Sequence, residues 1–303
     1  SLTLSVGGEL IGEKLNHGPP LLTQATITCR AALQDGGNRT VLHDPYAEER
    51  AESSRNAHWQ SLVQEALNHD DGFILFYQPV VCLQGGVGDY HEVLLRMDSP
   101  RGEILPSYFL PAAQQAGLMA QIDRWVISRA LHKLTTYPKK QPTFFVSLSS
   151  DSLENETFAS WLAEQIQVHR IAGDRLVLQV TESEAATSVK PLKALLNQLE
   201  QLRVGFAIKD FGAGLASYQL LKHIPAQYLK IDKNYLADFA GNTEFQKKVS
   251  EICEKAHASG MMVIAPHVAD MASVSVLYQC GVNFVQGNFL HEPAKEMPAV
   301  AVT

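Results

Sequence analysis

The chain has 303 residues, 46% of them hydrophobic and 19% charged, which supports a sizeable packed core and excludes wholesale disorder. Its formal net charge of -7 argues against duplex nucleic acid as the main partner, which needs a basic surface, while leaving room for a small phosphorylated ligand held by one or two arginines. No apolar run approaches the roughly 18 residues of a membrane span and no secretory start is visible. The scattered cysteines, Cys29, Cys82, Cys253 and Cys280, lack metal-ligand spacing and read as buried thiols of a reducing, cytoplasmic compartment.

Residues 1–12 alternate as a strand does, LLTQATITCRAALQDGG reads as a helix closed by Gly36-Gly37, and 38–43 as a second short strand. A strand, a helix and a strand of this size cannot bury a core alone, so they are either an added edge of the main domain or the tail of a preceding one. Ser1 lies inside a strand-like run, so the sequence is expected to be cut from a longer chain. Residues 46–69 are charged, then amphipathic, and predict a linker helix.

From residue 73 the rhythm changes. FILFYQPVVCL, the turn GGVGDY and HEVLLRM predict a β-hairpin over 73–97, antiparallel where the later strands are parallel. Helices then alternate with strands: PSYFLPAAQQAG and IDRWVISRALHKLTTY, strand TFFVSLS, helix FASWLAEQIQVH, strand RLVLQVTES, helix VKPLKALLNQLEQL, strand VGFAIKD, short helix LASYQLLKHI, strand YLKID, helix FQKKVSEICEKAHASG, strand MMVIAPHV, helix MASVSVLYQCG and strand NFVQGNFL. Eight strands over roughly 225 residues predict an α/β fold, a modified TIM (β/α)8 barrel with one antiparallel strand. The domains are then 1–45, the linker helix 46–69, and the barrel 70–303.

In parallel barrels chemistry sits where strands end. The polar residues there are Gln78, Glu92, Arg96, Ser147, Gln179, Glu182, Lys209, Asp210, Lys230, His267 and Gln286. Each alone has a bland reading, a side chain satisfying loop backbone or a solvated charge, but their convergence on one barrel face predicts a pocket.

Several motifs carry a family resemblance. Glu92-Val93-Leu94-Leu95-Arg96 resembles the signature of the EAL-domain family, cyclic di-GMP phosphodiesterases and their inactive relatives. KDFGAGLASYQLLKHIPAQYLKID is similar to the family's DDFGTG loop and LKID strand, VIAPHVAD to its AEGVE segment and FVQGNFLHEP to its closing QG strand, over about residues 60–300. The resemblance implies two divalent cations held by carboxylates and one asparagine. Glu92 and Asp210 match such ligands, but Ser147 stands at the asparagine, Gln179 at a glutamate, Lys209 at an aspartate and Pro266 at another glutamate. Hard cations need anionic oxygen ligands, so the resemblance implies a degenerate phosphodiesterase, no metal, and no enzyme; Lys230, at the family's catalytic-site lysine, does not compensate alone.

The nucleotide-holding positions survive better. The resemblance implies a cyclic di-GMP site in which Arg96 forks onto a phosphate, Leu94 packs on the ligand, and Gln78, Glu92, Asp123 and Gln286 meet its polar groups. Asp123 has the alternative of capping the helix at Arg124-Trp125. Phe289 stacks on guanine or belongs to the core, and Glu292 accepts from a guanine N–H or is a rim charge. Glu182 and the Gly212–Gly214 loop keep the family's loop-stabilising role. The N-terminal piece resembles the end of a GGDEF domain, and the whole resembles the FimX-like regulators of type IV pili, implying a PilZ-domain adaptor and a pilus assembly ATPase as partners. The alternatives are a weakly active metal-dependent phosphodiesterase and a scaffold that binds no nucleotide.

Overall fold

The computed structural model describes residues 4–9, 18–34, 40–43, 47–85, 88–100, 102–137, 141–214 and 217–298. The chain divides into two units, Ser1–Ser61 and Leu62–Thr303. In the first, β1 (Val6–Glu9), α1 (Gly18–Gln34) and β2 (Thr40–His43) keep the expected order, and the two strands pair in parallel from Val6 with Thr40 to Glu9 with His43. The ends of the strand expected over 1–12, and Gly36-Gly37, lie outside the described residues. The linker helix is α2 (Ala47–Asn68), and the boundary between units falls within it, at residues 61 and 62, not at its end.

The second unit runs β3 (Phe73–Pro79), β4 (Val81–Cys82), β5 (Tyr90–Met97), α3 (Pro106–Gln115), α4 (Met119–Thr135), β6 (Thr143–Ser147), α5 (Ser150–Leu153), α6 (Phe158–His169), β7 (Leu176–Thr181), α7 (Glu182–Thr187), α8 (Val189–Leu202), β8 (Gly205–Phe211), α9 (Ser217–Leu221), β9 (Tyr228–Ile231), α10 (Thr243–Ala258), β10 (Met262–Ala265), α11 (Met271–Gln279) and β11 (Phe284–Val285). All its strands join one sheet in the order β3-β5-β6-β7-β8-β9-β10-β11-β4. β3 and β4 are halves of one apolar run broken at Val80. β3 pairs antiparallel with β5, and β4 pairs antiparallel with β11, so this interrupted strand closes the barrel. Every other pairing in the sheet is parallel. This is the modified (β/α)8 barrel, with its first strand inverted.

The strands sit between barrel interior and helices, which is why β7 is buried at Leu176, Val177, Leu178, Gln179 and Val180 alike. α8 buries Leu192, Leu195, Leu196 and Leu199, the i, i+3, i+4, i+7 stripe that faces a sheet. Local chemistry shortens three expected strands. β10 stops before Pro266, which has no N–H to donate to a ladder. β11 stops at Val285, because Gly287 lies just beyond it in close contact with the Val268 backbone: a Cβ there would meet Val268 O at 2.3 Å. β7 stops at Thr181, whose side chain and that of Glu184 form a reciprocal capping box that starts α7. Of the cysteines only Cys253 is fully buried; the other three are half-buried, and all four thiols are free. Among the described residues no helix is long and apolar enough to cross a membrane.

Candidate functional site at the barrel mouth

A strand alternates its side chains between two faces, so interior barrel positions recur at steps of two. Val80, Phe145, Val177, Ala207, Tyr228, Ile264 and Phe284 meet in one apolar cluster with Tyr90 packed against it, which places them in the barrel interior. Two residues further toward the C-terminal ends of the parallel strands stand Glu92, Ser147, Gln179, Lys209, Lys230, Pro266 and Gln286. On the inverted strand the corresponding residue is Gln78, two before Val80. One apolar layer thus carries one polar layer above it, and seven of the eleven strand-end residues singled out in the sequence belong to the latter.

Glu92 is the hub. Its Oε1 accepts from Gln179 Nε2 at 2.6 Å and lies 3.0 Å from Lys230 Nζ, while Oε2 accepts from Gln286 Nε2. Gln286 Nε2 also donates to Gln78 Oε1 at 2.8 Å, and Gln78 Nε2 donates to Asn288 Oδ1 and the His291 carbonyl, each at 3.0 Å. On the other side, Ser147 Oγ accepts from Gln179 Nε2 at 3.2 Å and from Lys209 Nζ at 2.9 Å. Burial by itself raises a carboxyl's pKa, but Lys230, the two glutamine amides and Lys209 outweigh it and hold Glu92 at about 2. Burial pulls the Lys230 ammonium below its usual range, with Glu92 opposing. Among the described residues, Gln179 Oε1 and Gln286 Oε1 are buried without a hydrogen-bond partner, and Lys230 Nζ has its ion pair with Glu92 and the Phe145 ring at 5.9 Å.

Ser147 and Lys209 of this layer also line a cavity of about 320 Å³, walled by Leu94, Leu110 and Met119 and edged by Arg96 and Asp123. Leu94 and Arg96 continue the inward side of β5 beyond Glu92, at steps of two. The Arg96 guanidinium stands 5.4 Å over the Phe76 ring, and its Nη1 donates to the Leu95 carbonyl at 2.7 Å. A cation beside an apolar wall, over a polar floor, suits an anionic ligand with a flat apolar portion.

Asp123 does not cap the helix at Arg124-Trp125, because α4 already begins at Met119. Its Oδ2 instead accepts from Ser149 N at 2.9 Å, Ser149 Oγ at 2.5 Å and Ser152 Oγ at 2.7 Å, tying α4 to the start of α5. Burial raises its pKa to about 6 against those hydrogen bonds. Among the described residues Asp210 makes no hydrogen bond or ion pair with the Glu92 network, and only its charge acts on Lys230. The β8–β9 register shifts between Ile208 and Phe211, and Asp210, at φ 55°, lines a different cavity with Glu182 and Gly214. Phe289 is 47% exposed, so its core reading is corrected: it comes after the turn at Gly287 and sits on the surface. Glu292 is exposed, and so is His267. Glu182 does hold the glycine loop: its Oε2 accepts from Gly212 N at 2.8 Å, and a Cβ on Gly214 would meet its Oε1 at 2.4 Å. Sequence reasoning missed Asn288, Ser149 and Ser152. Asn288 lies between the chosen Gln286 and Phe289, and the serines bear no motif of their own.

The two divalent cations implied by the family do not fit these residues. Both Glu92 oxygens already face amide or ammonium donors, Ser147 Oγ accepts twice, and two lysines enter the layer. Among the described residues no group of three or more His, Cys, Asp or Glu is placed to hold a metal.

The EAL domain family model matches residues 60–293. The cyclic di-GMP phosphodiesterase PdeF of Escherichia coli strain K12 is 34% identical over 234 residues, 76% of this chain and 31% of PdeF. The cyclic di-GMP phosphodiesterase PdeB of Shewanella oneidensis is 30% identical over 294 residues, 96% of this chain and 34% of PdeB. The chain therefore spans about a third of the length of these curated relatives. The crystal structure of the FimX EAL domain from Pseudomonas aeruginosa bound to c-di-GMP superposes with a TM-score of 0.75 at 34% identity, covering 79% of this chain and 98% of that one. These relatives overturn one expectation. The reading of the domain as no enzyme rested on ligand substitutions at Ser147, Gln179, Lys209 and Pro266, whereas relatives at 30% and 34% identity are named phosphodiesterases.

Proposed function

The chain belongs to the EAL-domain family, and from that premise we propose that its barrel binds cyclic di-GMP at the C-terminal mouth. Arg96 takes a phosphate, Leu94 packs against the ligand, Phe289 stacks on a guanine and Glu292 accepts from a guanine N–H. Gln78, Glu92 and Gln286 form the polar floor and Asp123 shapes the wall. The observation that carries this reading is the cavity in which Arg96 and Lys209 edge an apolar wall, with Lys209 and Ser147 joining it to the polar layer. The FimX EAL domain, which is 34% identical, is bound to c-di-GMP in its crystal structure, and this supports the choice of ligand. A second reading, metal-dependent hydrolysis of the same dinucleotide, is favoured by the names of PdeF and PdeB.

The proposal extends to a cytoplasmic relay in which nucleotide occupancy is passed to a protein partner. The partners proposed are a PilZ-domain adaptor and, through it, a pilus assembly ATPase of the type IV pilus. Residues 1–45 are then the tail of a GGDEF-like domain, a reading that rests on their strand, helix and strand order. The test is titration calorimetry with cyclic di-GMP in EDTA and in magnesium or manganese, with analysis of the recovered nucleotide. Saturable binding supports the proposal, and cleavage after metal addition selects the second reading. No binding under any condition refutes both and leaves a nucleotide-free scaffold.

A further inference from the structure

The geometry points to Lys209 as a built-in cation for the ligand's phosphodiester, so that cyclic di-GMP binding needs no divalent ion. This inference rests on the reading of the mouth as a cyclic di-GMP site.

Three observations carry it. First, Lys209 reaches the cavity from the polar layer: it stands two residues after Ala207 of the apolar layer, and it edges the same 320 Å³ space as Arg96. Second, its charge acts on Glu92 only from beyond ion-pair distance. Its Nζ donates to the neutral Ser147 hydroxyl, and among the described residues no carboxylate lies within ion-pair distance of it, since Glu92 is paired with Lys230. Third, the strand irregularity at Lys209-Asp210 turns the neighbouring Asp210 into another cavity. The one acid beside Lys209 in sequence therefore does not stand over the phosphate position.

A phosphodiester is a monoanion, and an ammonium group supplies both charge and donor hydrogens to it. A divalent cation entering the same layer would meet two ammonium groups and a carboxylate whose oxygens are already occupied. The misfit of the layer for metal and its fit for an anion therefore have one cause. Lys209 serves as a ligand-positioning cation beside the same cavity as Arg96.

The experiment is calorimetry with cyclic di-GMP on the full chain, with Lys209→Met and Lys209→Arg beside the parent, each in EDTA and in magnesium. Lys209→Gln is the second variant should the apolar one fail to fold, with thermal melting as the check. The parent is expected to bind equally in both buffers. Lys209→Met should bind roughly ten- to hundredfold more weakly, the loss of one charge-assisted contact, with no recovery in magnesium, while Lys209→Arg keeps most of the affinity. Parent binding that appears only with magnesium overturns the inference and leaves the cyclic di-GMP reading standing. Unchanged affinity in Lys209→Met does the same. A parent that binds in neither buffer overturns the reading of the site itself.

Discussion

Glu92→Gln probes the hub of the site most directly. The substitution keeps size and most packing but removes the one negative charge facing Lys230 at 3.0 Å. The structure holds the Glu92 carboxyl at about 2 against an ordinary value of 4.5, because Lys230, Gln286, Gln179 and Lys209 together outweigh the cost of burial. At 1.36 kcal/mol per unit this shift is on the order of 3 kcal/mol in favour of the ionised carboxylate, opposed by the burial that pulls the Lys230 ammonium below its usual range. Breaking a buried pair on one side costs a similar amount, about 3–5 kcal/mol, because the surviving charge is left without a counter-ion. Urea unfolding monitored by circular dichroism at pH 7 should therefore show Glu92→Gln less stable than the parent by about 3 kcal/mol. A carboxyl whose folded pKa lies below its unfolded one contributes fully above the unfolded value and loses its contribution as it protonates. The gap between parent and variant should thus be full above pH 4.5 and shrink as pH falls toward about 2. Adding Lys230→Met should restore most of the loss, since no unpaired charge then remains buried. A Glu92→Gln variant within about 0.5 kcal/mol of the parent would refute the argument, as would a double variant whose loss equals the sum of the singles.

Arg96→Ala should weaken cyclic di-GMP binding roughly ten- to hundredfold, whereas Glu92→Ala, a change at a residue that does not line the cavity, should weaken it less; equal affinities for Arg96→Ala and parent would remove Arg96 from the phosphate role. Gly287→Ala should lower the melting temperature, because its Cβ would lie 2.3 Å from Val268 O and 2.5 Å from Val268 N, both backbone atoms that cannot yield cheaply; an unchanged melting curve would show that the turn after Gln286 is softer than its geometry implies. Asp123 has a folded pKa raised from 3.8 to about 6, so its contribution is complete below pH 3.8 and is lost as pH rises through about 6. The stability difference between parent and Asp123→Asn should change over that interval and be flat above it, which urea midpoints across the range would check.

Hydrophobic period and turn chemistry decided much of this protein before any folding. The alternation of apolar strands with amphipathic stretches such as VKPLKALLNQLEQL made the barrel legible, because burial between helices and interior demands continuous apolar strands. The hairpin at 73–97 announced the inverted strand. The step of two along each strand likewise placed Glu92, Ser147, Gln179, Lys209, Lys230 and Gln286 at one end of the barrel. Sequence could not say which of these side chains would touch. Glu92, Gln179 and Gln286 lie on or beside three different strands, and only closure of the sheet through β4 brings β11 round to complete the layer. Nor could it separate Lys209 from Asp210, neighbours that period-two reasoning treats as a simple in–out pair. The register shift and the left-handed backbone at Asp210 send them to different cavities. The tip of Asp123 is the third case, since its partners Ser149 and Ser152 come from another element entirely. The chain's periodicity is a local property and was readable residue by residue, whereas ion pairs and hydrogen bonds between strand ends are set by barrel closure, which is a property of the whole sheet.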